Sequence, residues 1–554
     1  MVFSLLLPLC APAFLPQVEV RERVVIGPEG DRVVEEVRDA GGWVVVGSPS
    51  AGLRTVKAPR WRVDDNGQAW IAETVAVGDS GAAVIAGKGL NNEGVAAFPG
   101  VDPQPLFDFS TLGSEAPQVA LADRAPVAAA LVATDMDPGS GYDYEGVLRV
   151  WDTMAGGAVD WSYTFPRTAN YFGGGAAVSD DGSIVLAWKA DPNTGSLLVR
   201  TFDRAGNLLA SGALASGTSF HARQARLSDD GRRAYFNIGS EAVIYDTLNG
   251  VEEYRHNIGA SFDAHALSGD GKRFAYGQFG YFRVYEETSP GNWTLKVHRS
   301  FAGSVYVGAV ALDRDGSHCA FLVQRYSPAM DHIEVGVHDV DADVGVFLEA
   351  WDAPGTAYQL SGRDAALDDA GERAAFCSWG DSLNAVPEGL VYDVAAGVLS
   401  CSLDSPGSAY DLDLDPDGDV FVMGTKAVHA NVFGNGGSIF CADAGDQNLH
   451  VLGWPVAGGA LTLQVPDVGG SVVFGASRGL LPAPLPTAFG LLEIDRNALA
   501  WQSPPILVPP GGLSYPVSVP PGPGTAGRDF HLQALIVLTI GNQLTNKVSL
   551  RVHP

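Results

Sequence analysis

The 554-residue chain reads as an all-β protein: a β-propeller of eight blades, or seven if one weak repeat is not a full blade, followed by a small β-sandwich. Three observations predict this. A short motif of apolar strand, acidic turn, Gly and apolar strand recurs along the chain. A further strand ending in another acidic turn follows each copy. Gly and Pro number 68 and 34, which places many tight turns between short strands.

The motif is clearest in LSGDGKRFAYG, Leu267 to Gly277. It returns as GAAVSDDGSIVLAW from Gly175, QARLSDDGRRAYF from Gln224 and VALDRDGSHCAFL from Val310. AALDDAGERAAFC from Ala365 and LDLDPDGDVFVMG from Leu412 are further copies. VAVGDSGAAVIAG from Val75 is an early one. VALADRAPVAAAL from Val119 is degenerate, with Ala125 where the Gly should stand. The turn positions are 81, 125, 182, 231, 271, 316, 371 and 418, so neighbouring copies lie 40 to 57 residues apart. A period of this size fits one blade per copy. Gly supplies a positive φ at low cost in a tight hairpin, and the Asp carboxylate can accept local amide hydrogens. The next strand recurs as VLRVWDTMAGG from Val147, AVIYDTLNG from Ala242 and GLVYDVAAG from Gly389. A fourth follows, as in VDWSYTF from Val159.

These repeats resemble those of WD-repeat-like and quinoprotein-like propellers over residues 70–455. Trp151-Asp152 matches the WD dipeptide, but the Gly-His partner of true WD repeats is absent. The vicinal cysteines and blade-end Trp motif of quinone dehydrogenases are also missing, so no quinone cofactor is expected. Residues 14–69 form an N-terminal β segment, in which only Asp31–Asp39 (DRVVEEVRD) patterns as an amphipathic helix. Residues 456–554 alternate apolar strands with Gly/Pro turns and read as the sandwich. This tail is similar to a module found behind secreted bacterial proteins, on the strength of Leu532-Gln533-Ala534-Leu535 and Leu544-Thr545-Asn546.

The start, MVFSLLLPLCAPAFLPQ, carries an apolar run and an Ala11-Pro12-Ala13 cleavage pattern, without a basic n-region. Three readings fit residues 1–13: an unusual signal peptide, a run whose true start lies upstream, or a buried strand. The first is favoured, with the protein secreted, periplasmic or on the cell surface. The run is too short to span a bilayer, and no other membrane span is expected. The formal charge of −29 repels a phosphate backbone, which excludes nucleic acid as partner. Four cysteines remain beyond Cys10: Cys319, Cys377, Cys401 and Cys441. Buried thiols and a disulfide in one of three pairings both fit. None forms C-x-x-C, so zinc or redox chemistry is not expected.

Gly78-Asp79-Ser80-Gly81 looks like the nucleophile loop of chymotrypsin-type proteases, but it falls in register with the repeat turn. Asp413, Asp415 and Asp417, followed by Gly418, match the start of a calcium loop. The late bidentate Glu is missing, since the twelfth position is Gly424. Calcium is the cofactor that this spacing points to; otherwise none is expected.

Insertions are more informative. From turn Gly to the acid closing the third strand, the fourth and fifth repeats need 15 residues each (231 to 246, 271 to 286). The second needs 27 (125 to 152) and the eighth 25 (418 to 443). The extra residues fall between second and third strands, whose loops all emerge on one face of a propeller. Aromatic and polar residues there suit a sugar ring or a peptide: Asp137, Tyr142, Asp143 and Tyr144; Arg325 and Tyr326; Trp379, Asp381 and Asn384; and His429. The expectation is a monomeric binding or scaffolding protein for an unidentified protein or glycan at the cell surface. The alternative is a hydrolase or lyase acting on a polysaccharide or peptide through acids in the central mouth, which two buried axial acids with raised pKa would favour.

Overall fold

The computed structural model describes residues 59–552 apart from short segments, the longest being 137–143, 216–224 and 353–359, together with three strands between residues 20 and 47. Two compact units result, residues 1–54 and 55–554. In the first, Val20–Val25, Arg32–Asp39 and Gly42–Gly47 form one antiparallel sheet. Residues Arg32–Asp39 are thus a strand and not the helix that their pattern suggests. Three of the eight are β-branched valines, and both long edges of the segment find pairing partners, Val33 opposite Val24 and Val37 opposite Val44. Strand pairing outweighs a short amphipathic pattern.

The second unit is built on eight antiparallel sheets, each a blade whose four main strands run from the inside outward, in sequence order in all but the last; in blade 2 the short Ser114–Glu115 strand adds a fifth. Blade 3 shows the plan: Gly174–Val178 innermost, then Ile184–Asp191, Ser196–Asp203 and Leu208–Ala215. The degenerate repeat is a full blade, with Val119–Leu121, Val127–Asp135, Tyr144–Asp152 and Val159–Thr164. Ala125 is not among the positive-φ residues, so this turn follows another path than the Gly-containing ones.

The eighth blade takes its outer strand from the other end of the ring. Trp61–Asp64 pairs with Gly437–Asp443, Val63 opposite Ile439. Trp61 is 5% exposed and packs on Phe98 of blade 1 at 5.3 Å between ring centroids. The strand therefore closes blade 8 and touches blade 1 at once.

Because successive strands alternate in direction, each blade's first turn (innermost to second strand) lies on one face, here the lower. The loops from second to third strands and the connections between blades lie on the upper face. The lower turns are linked around the axis by backbone hydrogen bonds. Asp79 N donates to Asp123 O, Arg124 N to Asp180 O, Asp180 N to Asp229 O and Asp229 N to Gly269 O. The chain continues through Asp270 N to Arg314 O, Arg314 N to Asp369 O and Asp369 N to Pro416 O. Pro416 has no N–H, so the chain of donors stops where the ring closes.

A C-terminal module completes this unit. A sheet of His450–Leu452, Ala460–Val465 and Leu513–Ser518 shares one apolar core with a larger sheet built on Ser471–Ser477 and Asp529–Leu538. Leu461, Leu463, Phe474, Ala534 and Ile536 lie in that core. The Leu532–Leu535 segment meets Thr545: Gln533 Nε2 donates to Thr545 O at 3.0 Å, and Thr545 Oγ1 accepts from Ala534 N at 2.8 Å. His450–Leu452 and Val548–Arg551 run against the Asp79–Gly81 turn, so the module sits on the lower face. Lys547 is half-buried there; desolvation opposes its charge, but Asp417, Glu493, Glu372 and Asp419 outweigh it and raise its pKa. Cys319, Cys377, Cys401 and Cys441 are buried free thiols in the blades.

Candidate binding face

Innermost strands of a propeller are edge strands, and their unpaired amides need acceptors. Side chains from neighbouring blades supply them. Asp411 of blade 8 accepts from Val75 N at 2.8 Å, and Asp413 accepts from Val77 N at 2.9 Å, both in blade 1. Thr74 accepts from Val119 N, and Gln324 of blade 6 accepts from Gly362 N of blade 7 at 3.0 Å. Gln118 bridges past blade 3 to Ala225 of blade 4. The polar lining of the channel is thus largely committed to holding blades together.

This explains the calcium-like spacing. Asp413 lies on a strand and points at Val77. Asp415 opens the turn and accepts from Asp419 N at 2.7 Å and Val420 N at 2.8 Å. Asp417 lies in the turn, with the Lys547 ammonium among the charges around it. The three carboxylates do not converge, and among the described residues no group of three or more His, Cys, Asp or Glu is placed to hold a metal. The Asp79-Ser80-Gly81 motif is the first lower turn.

Acids do gather on the axis at the lower end: Asp123, Asp180, Asp229 and Asp369. Two arginines cross between blades to meet them. Arg124 of blade 2 reaches Asp369 of blade 7 at 2.6 Å, and Arg314 of blade 6 reaches Asp229 of blade 4 at 2.8 Å and Asp369 at 3.3 Å. Burial and the neighbouring carboxylates push Asp229 up to about 7 and Asp123 well above the carboxylate range. Higher in the channel, burial and the adjacent Asp364 carboxyl raise Asp411.

The upper mouth is aromatic. Phe279 lies in the tight turn between the second and third strands of blade 5 and is 53% exposed. Its ring meets Tyr306 at 6.3 Å and Tyr326 at 5.4 Å; Tyr326 is 40% exposed. Tyr306 donates to Gln324 Oε1 at 2.7 Å, so its ring is held upright at the rim. On the neighbouring blade 7, the Arg363 guanidinium lies 5.8 Å from the Trp379 ring and 5.5 Å from Tyr410 of blade 8. Trp379 also meets His429 edge-on at 6.2 Å. The Arg363 Nε and Trp379 Nε1 hydrogens have no partner among the described residues.

Of the residues expected from sequence, Tyr326 and Trp379 lie on this face, whereas His429 is buried against Trp379 and accepts from Asn431 N at 3.2 Å. Asp381 is turned inward, accepting from Val386 N at 2.8 Å, so it shapes its loop and is not offered to a ligand. Arg325 is paired with Asp331 and Asp352. Tyr144 opens the third strand of blade 2, opposite Asp135. Asp137, Tyr142, Asp143 and Asn384 lie outside the described residues. Phe279, Tyr306, Arg363 and Tyr410 escape the sequence reading because they sit on strands and a tight turn, away from insertions. The one available signal is a bulky Phe beside Gly in the turn Gln278-Phe279-Gly280-Tyr281, where a polar residue is the norm.

No protein-family model matches the sequence, and no curated protein does. Solved structures similar to the chain include the C-terminal WD40 domain of Sif2 (12% identity, 71% of this chain and 99% of that one, TM-score 0.49). Saccharomyces cerevisiae Sqt1 is another (9% identity, 69% and 98%, TM-score 0.49). Kuenenia stuttgartiensis hydrazine synthase is a third (15% identity, 53% and 76%, TM-score 0.36). On its own blades, register and turns, the chain is an eight-bladed β-propeller.

Proposed function

We propose that this propeller is a binding or scaffolding protein whose partner, a protein or glycan, docks on the upper face across blades 5 to 8. The observation that carries this is the exposed Phe279–Tyr306–Tyr326 cluster on blades 5 and 6, continued on blade 7 by Arg363 and Trp379. Rigid aromatics beside an incompletely bonded guanidinium are the residue types that dominate binding energy at interfaces. The lower face is occupied by the chain's own C-terminal module, which leaves the upper face for a partner. The test is direct binding of a panel of glycans, cell-wall fragments and peptides to the wild type and to Tyr326→Ala and Arg363→Ala. A ligand whose affinity falls about tenfold or more in both variants supports the proposal. Binding indifferent to both contradicts it.

A specific observation also favours the enzymatic alternative, namely the axial acids with raised pKa. In that reading Asp411, with the Asp364 carboxyl beside it, or Asp123 and Asp229, act on a polysaccharide or peptide threaded into the channel. Asp364→Asn and Asp229→Asn then abolish turnover of a panel ligand while leaving its binding intact. Absence of turnover in the wild type removes this reading.

A further inference from the structure

Beyond the mouth, on the outer part of the cleft between blades 4 and 5, basic and aromatic side chains meet without a carboxylate. Tyr276, Arg283 and His298 are cross-strand neighbours on the second, third and outer strands of blade 5. Paired residues share a face of the sheet, so the three form a row. The Arg283 guanidinium lies 4.7 Å from the centre of the Tyr281 ring. It donates from Nε to His298 Nδ1 at 2.9 Å and from Nη1 to the Tyr276 hydroxyl at 3.3 Å. Among the described residues those are all the hydrogen bonds it makes, which leaves three of its five N–H donors. Because His298 Nδ1 accepts, its proton is on Nε2, which donates to Ser300 Oγ at 3.0 Å. From blade 4, His256 meets Tyr285 with its ring 4.9 Å away and Nε2 3.0 Å from the hydroxyl.

The charge pattern is unusual for this chain. Acids outnumber bases 64 to 35, and arginines 233, 255 and 273 on the same two blades are each held by glutamates. Arg283 has only hydroxyls, an imidazole and a ring. The groups acting on it electrostatically are Tyr276, Tyr281 and Tyr285, and its own charge depresses His256. A partly buried guanidinium with free donors, flanked by two imidazoles, lacks a counter-anion.

We propose that the Tyr276–Arg283–His298 row, with Tyr281 as its stacking wall and His256 at its side, binds an oxyanion carried by a ligand, either a sulfate group or the carboxylate of an acidic sugar. The free N–H groups of Arg283 take two oxygens, and the Tyr281 ring backs the group that carries them.

Calorimetric titration of the full chain with sodium sulfate and with sodium glucuronate, at constant ionic strength held with chloride, tests this. At least one anion saturates a single site, and Arg283→Gln weakens it about tenfold or more. Arg232→Gln, at a solvent-exposed arginine on blade 4, leaves it unchanged. His298→Ala, which alters only an exposed side chain, weakens it as well and serves if the Arg283 variant does not fold. Saturation by sulfate alone identifies the tetrahedral group, and by glucuronate alone the carboxylate. No saturable binding, or equal binding by wild type, Arg283→Gln and His298→Ala, overturns the proposal.

Discussion

At the residue scale, the lower turns show how the sequence sets the geometry. Gly231 sits at φ +70, and a Cβ there would lie 2.6 Å from Ile184 Cβ in the preceding blade. Gly291 has φ +73 and nothing within 4 Å. Both pay the backbone strain of a left-handed alanine, but only Gly231 adds a clash between blades. Gly231→Ala should therefore lower stability by about 2–4 kcal/mol and Gly291→Ala by about 1 kcal/mol, read by denaturant unfolding. The buried acids make a second prediction. Burial raises Asp413 to about 7 from an ordinary 3.8. Its folded pKa exceeds its unfolded one, so its contribution is fully present below pH 4 and is lost as pH rises toward 7. Asp413→Asn keeps one amide acceptor and cannot ionise. Its stability relative to wild type should improve between pH 4.5 and 8; an unchanged difference would show that Asp413 does not titrate in this window.

At the element scale, the closing strand ties the two ends of the ring together. Trp61→Ala removes a buried indole that serves both blade 8 and blade 1, and should cost about 3–5 kcal/mol. A loss under 1 kcal/mol, measured by urea unfolding, would mean that the strand adds little to ring closure. This strand also marks where sequence reasoning stopped. The blades were legible because each turn repeats its Gly and acids at a steady period, and even the degenerate copy kept its third strand. Trp61–Asp64 has no motif of its own: Val63 finds Ile439 only after the ring has formed, and no local pattern encodes that pairing. The site was less legible than the blades for a related reason. Long loops drew attention to Trp379 and Tyr326, whereas Arg363 and Tyr410 sit on innermost strands, where they resemble ordinary channel lining until the ring brings them to one rim. In the Asp413-Leu-Asp415-Pro-Asp417 spacing only Asp413 lies on the strand, where it accepts from Val77 N; Asp415 opens the turn and accepts from Asp419 N and Val420 N.

At the scale of the whole molecule, the two faces of the ring are unequal. The lower face carries the linked turns, the crossing Arg124 and Arg314 ion pairs and the C-terminal module. The upper face carries exposed aromatics, including Phe433, which is fully exposed in the loop after the second strand of blade 8. Replacing Arg124 with Gln should loosen the hub without touching the upper face. Thermal stability would fall while affinity for an upper-face ligand stayed within about twofold, since sites this far apart add independently. The central claim is that the partner uses the upper face of blades 5 to 8. Hydrogen exchange of the full chain, with and without the tightest ligand from the binding panel, tests it most directly. The account predicts slowed exchange at the Gln278–Tyr281 turn, around Tyr326 and around Trp379, with the lower turns unchanged. Protection confined to the lower turns or to the C-terminal module would contradict it.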